Sequence, residues 1–147
     1  MPPTYIRKTL FHGGTNRAKL PNRYMMERAW AAGFFDGEGS THVGQYSPRK
    51  RREPVCYARL SIGQAGEHAK KILERFKVAT RGHGKFYGPK PPNKHQKLYQ
   101  YTYVVTNFQQ IIDTLQYMWP WLSKAKREQA TFIIRKHVDS RLPNEKD

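Results

Sequence analysis

The sequence predicts an α+β domain of order αββαββα, with a four-stranded antiparallel sheet, helices on one of its faces and an extra C-terminal helix. Three observations predict it. Along the 147 residues the signals run helix, two strands, helix, two strands, two helices, in a chain long enough for one domain with a core and too short for two ordinary ones. Between Val55 and Gly63 the side chains alternate, Cys56, Ala58, Leu60 and Ile62 against Tyr57, Arg59 and Ser61, which is the period of a strand with one buried and one polar face. The two strands of each pair are joined by loops, not by crossover helices, so the sheet is antiparallel and leaves one face free for a ligand.

Residues 1–21, rich in Arg, Lys, Gly and Pro, have no period and read as a basic arm; the domain spans 22–139 and a frayed tail 140–147. Asn22 caps a helix over Arg23–Phe35, with Asp36-Gly37 as its exit. Ser40–Tyr46 and Val55–Gly63 form a hairpin around the basic tip Ser47–Pro54. Glu67–Phe76 places Ala69, Ile72, Leu73 and Phe76 at helical spacing. Gly82–Tyr87 and Leu98–Thr106 make the second pair, and the prolines at 89, 91 and 92 mark 88–97 as an irregular connector. Asn107 caps a helix through Tyr117, Pro120 closes it, and Ser123 to about Val138 is the last helix, with Ala130, Ile133, Ile134 and His137 on one side.

Lys and Arg number 27 against 11 Asp and Glu, a formal charge of +16 that would repel itself in a compact monomer unless an anionic partner relieved it. Nucleic acid is the partner this implies. No apolar run approaches the roughly 20 residues that span a bilayer, and the cluster Arg49-Lys50-Arg51-Arg52 lies between strands, not on an amphipathic helix, so no membrane is expected. The polar stretch Met1–Leu10 has no signal-peptide core, and the one cysteine, Cys56, cannot staple a fold; both predict an intracellular, reducing location. Cys56 falls on the apolar face of its strand, so it reads as core, not nucleophile. The six histidines show no paired spacing for zinc.

The chemistry concentrates in Trp30-Ala-Ala-Gly-Phe-Phe-Asp-Gly-Glu-Gly-Ser40. On a helix Ala29, Ala32, Gly33 and Asp36 lie at i, i+3, i+4 and i+7, so one stripe is nearly free of side chains and lets another backbone approach. Such a stripe also suits tight packing inside a monomer. Two acids, Asp36 and Glu38, end the helix between glycines. A symmetric partner would bring two Glu38 carboxylates together, and they repel unless divalent cations lie between them; oxygen ligands favour Mg²⁺, or Mn²⁺ in its place.

The run Ala31-Ala-Gly-Phe-Phe-Asp-Gly-Glu-Gly39 resembles the defining motif of the LAGLIDADG homing endonucleases in its variant ending Asp-Gly-Glu-Gly-Ser, with Ala31 where the motif has its first leucine. The resemblance runs from about Asn22 to about Val138, through the order of elements, Gln64 at the end of the second strand, the Pro120 break and Lys126-Arg-Glu-Gln-Ala130. It implies a homodimeric, metal-dependent enzyme that hydrolyses both strands of a long pseudo-palindromic DNA site. Glu38 would ligate the metal with the Gly37 carbonyl assisting, and Asp36 would hold the helix end. Gln64 would position water, Lys126 would stabilise charge on the phosphate, and His68 would be a second basic group. Taken alone, Gln64 is a polar strand end and Lys126 part of a solvated basic turn.

A twisted polar face can lie along a major groove, where base edges carry a distinct donor and acceptor pattern. Alternation selects His42 and Tyr46 on the first strand, Tyr57, Arg59 and Ser61 on the second, Lys85 and Tyr87 on the third, and Gln100 and Thr102 on the fourth, where the opposite parity stays open. Arg49, Lys50, Arg51 and Arg52 at one loop tip, with Lys94 and Lys97 at the other, would meet phosphates and outer base pairs. Basic surface also suits an intron RNA maturase or a non-cleaving DNA-binding protein on the same fold. The target and the compartment, whether chloroplast, mitochondrion, prokaryotic cell or virus, are not set by these residues.

Overall fold

The computed structural model describes residues 22–49, 53–95 and 97–142. The arm 1–21, the tip residues Lys50, Arg51 and Arg52, and 143–147 of the tail lie outside the described residues. In chain order the elements are α1 (Arg23–Glu38), β1 (Gly39–Tyr46), β2 (Val55–Ala65), α2 (Ala69–Ala79), β3 (Lys85–Lys90), β4 (Gln100–Val105), α3 (Phe108–Met118), a 3₁₀ turn (Trp119–Trp121) and α4 (Lys124–Asp139). The strands form one antiparallel sheet in the order β1-β2-β4-β3. α2 lies against β2 and β4, α3 against β2, and α4 against β1 and β2, while α1 packs on α2 and α3, so the helices share one side. No described helix is long and apolar enough to cross a membrane.

Three of the four described helix starts are set by a short polar side chain; α2 begins after His68 without a side-chain cap. Asn22 accepts the Met25 N–H at 2.9 Å, Asn107 the Gln110 N–H at 3.0 Å, and Ser123 the Lys126 N–H at 3.2 Å; each such cap is worth about 1 kcal/mol. The core lies between helices and sheet. Ala31, Ala32 and Phe35 of α1 meet Ala58, Leu60 and Ile62 of β2, Leu73 and Phe76 of α2, Tyr103 and Val105 of β4, and Ile111, Leu115 and Met118 of α3. Fully burying a side chain such as Leu60 or Phe76 stabilises by about 1.5–3 kcal/mol.

Several boundaries differ from the sequence expectation, each for a local reason. α1 does not stop at Asp36-Gly37; it continues to Glu38, and Gly39 then leaves it in ordinary extended backbone (φ −94°). Gly39 is needed for space, since a Cβ there would sit 2.2 Å from the Phe35 ring. β2 runs on to Ala65, so Gln64 stands inside the strand, opposite Tyr101. β3 begins at Lys85, later than Gly82, and continues through Gly88 and Pro89, which had been assigned to the connector. It is an edge strand with β4 alone beside it, so Pro89 forfeits no second ladder, and a register shift between Tyr87 and Lys90 absorbs the misfit.

Two consequences for stability follow. The Gly84 N–H donates to the Tyr103 Oη at 3.0 Å in a buried setting; Tyr103→Phe leaves that donor unmet and should cost about 1–3 kcal/mol in chemical denaturation. His137 stacks on Phe108 at 3.9 Å, and burial, then the nearby Arg141 charge, holds its pKa below 6.5. Its contribution is therefore present above 6.5 and lost as pH falls through the folded pKa. The denaturation midpoint should drop on acidification below that value, and less so in His137→Gln; an equal drop in both proteins contradicts the assignment.

Candidate functional site

The sheet's open face is decided by the strand register. Thr41 pairs with Leu60 and Val43 with Ala58, while Ile62 pairs with both Gly39 and Tyr103; these residues face the helices. The alternate residues face away: His42 opposite Arg59, Gly44 opposite Tyr57, Thr102 opposite Tyr87, and Gln100 on the same side. Tyr101, Tyr103 and Val105 point inward, which settles the parity of the fourth strand. His42, Tyr46, Tyr57, Arg59, Lys85 and Tyr87 are exposed, and Ser61, Gln100 and Thr102 half-buried. Tyr57 lies 6.0 Å from Tyr46 and 6.1 Å from His42 between ring centroids. Its ring extends over Gly44, where a Cβ would come within 2.6 Å; across the sheet Gln100 extends over Gly63 in the same way. The sequence reading missed both glycines, whose signal was a missing side chain opposite a long one. Arg49, Lys94 and Lys97 are exposed in the loops at the ends of this face.

At the end of the sheet where α1 delivers the chain to β1, Lys126 is brought beside Glu38, and Gln64 lies on the neighbouring strand. Glu38 is the last residue of α1 and exposed, with no ion pair or hydrogen bond to its carboxylate among the described residues. The Lys126 ammonium, half-buried, donates to the carbonyl of Gly39, the next residue, and lies 5.6 Å from the Phe35 ring. Gln64 stands two positions beyond Ile62, the partner of Gly39, and shares its face of the sheet. Asp36 is turned to a different task. Both of its carboxylate oxygens accept the Ser123 N–H at 3.1 Å, tying the end of α1 to the start of α4. His68 is exposed at the start of α2, beyond the Gly66 turn, with no hydrogen bond to Glu38, Gln64 or Lys126 among the described residues.

The donor set at Glu38 fits a hard divalent cation. It is a carboxylate on a helix C-terminus, where the last carbonyls lack intrahelical donors and the dipole is negative. The last turn of α1 holds no basic residue. All the donors are oxygens, the ligand type of Mg²⁺ and Mn²⁺. Among the described residues no three His, Cys, Asp or Glu side chains converge.

The helix stripe needs correction at one of its four positions, Ala32. Ala32 is fully buried in the protein's own core, and Asp36 turns its carboxylate toward α4. Ala29 is half-buried and Gly33 exposed. Gly37, one turn on from Gly33, is the position the reading missed: both glycines are exposed, and a Cβ at either would meet nothing within 4 Å. With exposed Met26 they form the open side of α1, opposite the side that carries Ala31 and Phe35 into the core.

No protein-family sequence model matches the chain. No curated protein matches it in sequence. Solved structures do match in shape. The homing endonuclease I-CvuI, in complex with the I-CreI DNA target in the presence of Mg, superposes with a TM-score of 0.63 at 23% identity over 84% of this chain and 72% of that one. The group I intron-encoded homing endonuclease I-CeuI, complexed with DNA, gives 0.56 at 15% identity over 74% and 52%. The LAGLIDADG homing endonuclease I-GzeII, bound to its DNA target, gives 0.61 at 19% over 80% of this chain but only 38% of that longer one. With helices on one side of a sheet ordered β1-β2-β4-β3, and α1 delivering its last acid to the edge of that sheet, the chain has the fold of the LAGLIDADG homing endonucleases.

Proposed function

We propose that the protein is a site-specific DNA endonuclease of this type, working as a homodimer on a long, roughly two-fold-symmetric duplex. The single observation that carries the reading is Glu38: an exposed carboxylate with no hydrogen-bond or ion-pair partner among the described residues, at the end of α1 and beside the open glycine side of the same helix. Two copies paired through Gly33 and Gly37 would bring two such carboxylates to one place. That also favours a cutting enzyme over a binding module, because an unmet charge at the negative end of a helix dipole costs stability that a mere scaffold has no reason to bear.

In this reading the open face follows the major groove, with Arg59 and Gln100 offering geometry suited to guanine and adenine edges. Arg49, Lys94 and Lys97 meet phosphates, each neutralised phosphate adding about 0.9 to the slope of log K against log salt. Glu38, with the Gly37 carbonyl, would hold a divalent cation. Mg²⁺ or Mn²⁺ bound there would activate water and stabilise the oxygens of an in-line displacement at phosphorus. Gln64 orients the attacking water by hydrogen bonding. Lys126, held by the Gly39 carbonyl, adds positive charge beside the phosphate.

Incubated with Mg²⁺ and a randomised duplex library, the protein should yield cleaved sites that share a near-palindromic motif. Glu38→Gln should keep duplex affinity and lose cutting by on the order of 100-fold or more; wild-type cutting in that variant would remove the role given to Glu38. Gly33→Leu, which meets nothing inside one copy, should move the mass in light scattering from two copies toward one 17.3 kDa chain. An unchanged mass would rule out this interface.

A further inference from the structure

The helical layer holds a second cationic hollow, away from both the sheet's open face and Glu38. It lies between α1, α3 and the turn after α2, with a volume of about 530 Å³, and Arg28, Arg81, His83 and Tyr117 line it, with Asp113 as its acid. Arg28 precedes Glu38 on α1 by about 15 Å of helix axis at 1.5 Å per residue. An adjoining hollow of about 490 Å³ shares Arg28 and Arg81 and adds Tyr24. The two together form a groove crossed by a pair of arginines.

Cations and rings alternate along it. The Arg28 guanidinium lies 4.4 Å from the Tyr117 ring centroid, and that of Arg81 5.9 Å from Tyr117 and 6.0 Å from Tyr24. Neither arginine has an ion pair among the described residues, and the nearby acids are engaged elsewhere: Asp113 accepts from Gln109 at 2.9 Å, and Glu27 is bridged by Arg75 at 2.8 Å. Arg81 has a positive φ of 48°, in the position after a helix that glycine usually takes. The next residue must be Gly82, because a Cβ there would lie 2.1 Å from the Tyr103 hydroxyl. Nothing of that kind excludes glycine at 81. An arginine kept in a strained backbone, with its charge free in a groove, points to a ligand.

We propose that this groove binds single-stranded nucleic acid, with Arg28 and Arg81 on successive phosphates and an unstacked base against Tyr24. Flat rings and guanidinium planes offer faces to bases that a duplex keeps stacked. Two hollows in series, joined at the arginines, suit consecutive nucleotides better than one small anion. The site is independent of the sheet, so its test does not depend on cleavage.

Fluorescence anisotropy of labelled oligo(U) and oligo(dT) with the full chain at low salt tests it. Arg28→Ala and Arg81→Gly should each weaken binding about fivefold or more, while Arg135→Ala, an equal loss of charge on exposed α4, should not. Arg81→Gly should also raise the denaturation midpoint, since glycine accepts that φ freely; weaker binding in a more stable protein excludes misfolding as the cause. Unchanged affinity in both groove variants, an equal loss in Arg135→Ala, or displacement of the oligonucleotide by micromolar AMP would overturn the proposal.

Discussion

Asp36 accepts the Ser123 amide with both carboxylate oxygens, and through that contact the C-terminal turn of α1 is fixed to the N-terminal turn of α4. The arrangement settles two dipoles at once. Asp36 stands at the negative end of α1, where its charge is unfavourable, and at the positive end of α4, where it is favourable. Lys126, in the first turn of α4, opposes that helix's own dipole but reaches back to the Gly39 carbonyl. These links hold the junction of α1 and β1, and they leave Glu38 as the acid there with no hydrogen-bond or ion-pair partner among the described residues. In the proposed function this acid is the one that would hold the cation, and a local feature that costs some folding stability is how sites and scaffolds commonly differ.

α1 also has two apolar or bare sides with different destinations. Ala31, Ala32 and Phe35 enter the core, while Met26, Gly33 and Gly37 are open on the far side. Trp30 and Phe34, stacked 5.4 Å apart, lie between them, with the Arg75 guanidinium over Trp30 and paired to Glu27. The hydrogen bond from Arg75 holds the Glu27 carboxyl below its usual range, although the pair is exposed enough that it orders the flank of the helix more than it stabilises the fold. The sheet divides in the same manner: one parity packs under the helices, the other offers Tyr57, Arg59, Tyr87 and Lys85 to solvent.

How much of this was legible varies with the physics behind each element. β2 was plain because one buried and one wet face write a period of two, and its register then fixes the facing of its neighbours. The helix caps at Asn22 and Asn107 were legible because capping is local. Pro89 misled because its exclusion from strands holds for central ones, and only the sheet order reveals an edge. Ala32 was placed on the open stripe because helical spacing groups residues without saying which side meets the core; Gly37 was overlooked because the helix was expected to end before it. The pairing of Lys126 with Gly39, and of Asp36 with Ser123, joins residues 87 apart, which no local pattern encodes. Arg81 gave no signal at all, since a positive φ at a residue other than glycine is not written in the local sequence.

The central claim is that two copies meet along the glycine side of α1. Oxidative cross-linking tests it most directly: Gly33→Cys in a Cys56→Ser background places a single thiol on the open side, where its Cβ disturbs nothing in the protein itself. Backbones pressed together there would bring the two Cα atoms within the roughly 7 Å that a disulfide can span, so mild oxidation should convert the protein to a covalent dimer on non-reducing electrophoresis, while Tyr24→Cys, on the exposed N-terminal turn, stays monomeric. A Gly33→Cys protein that remains a single chain under those conditions would contradict the account.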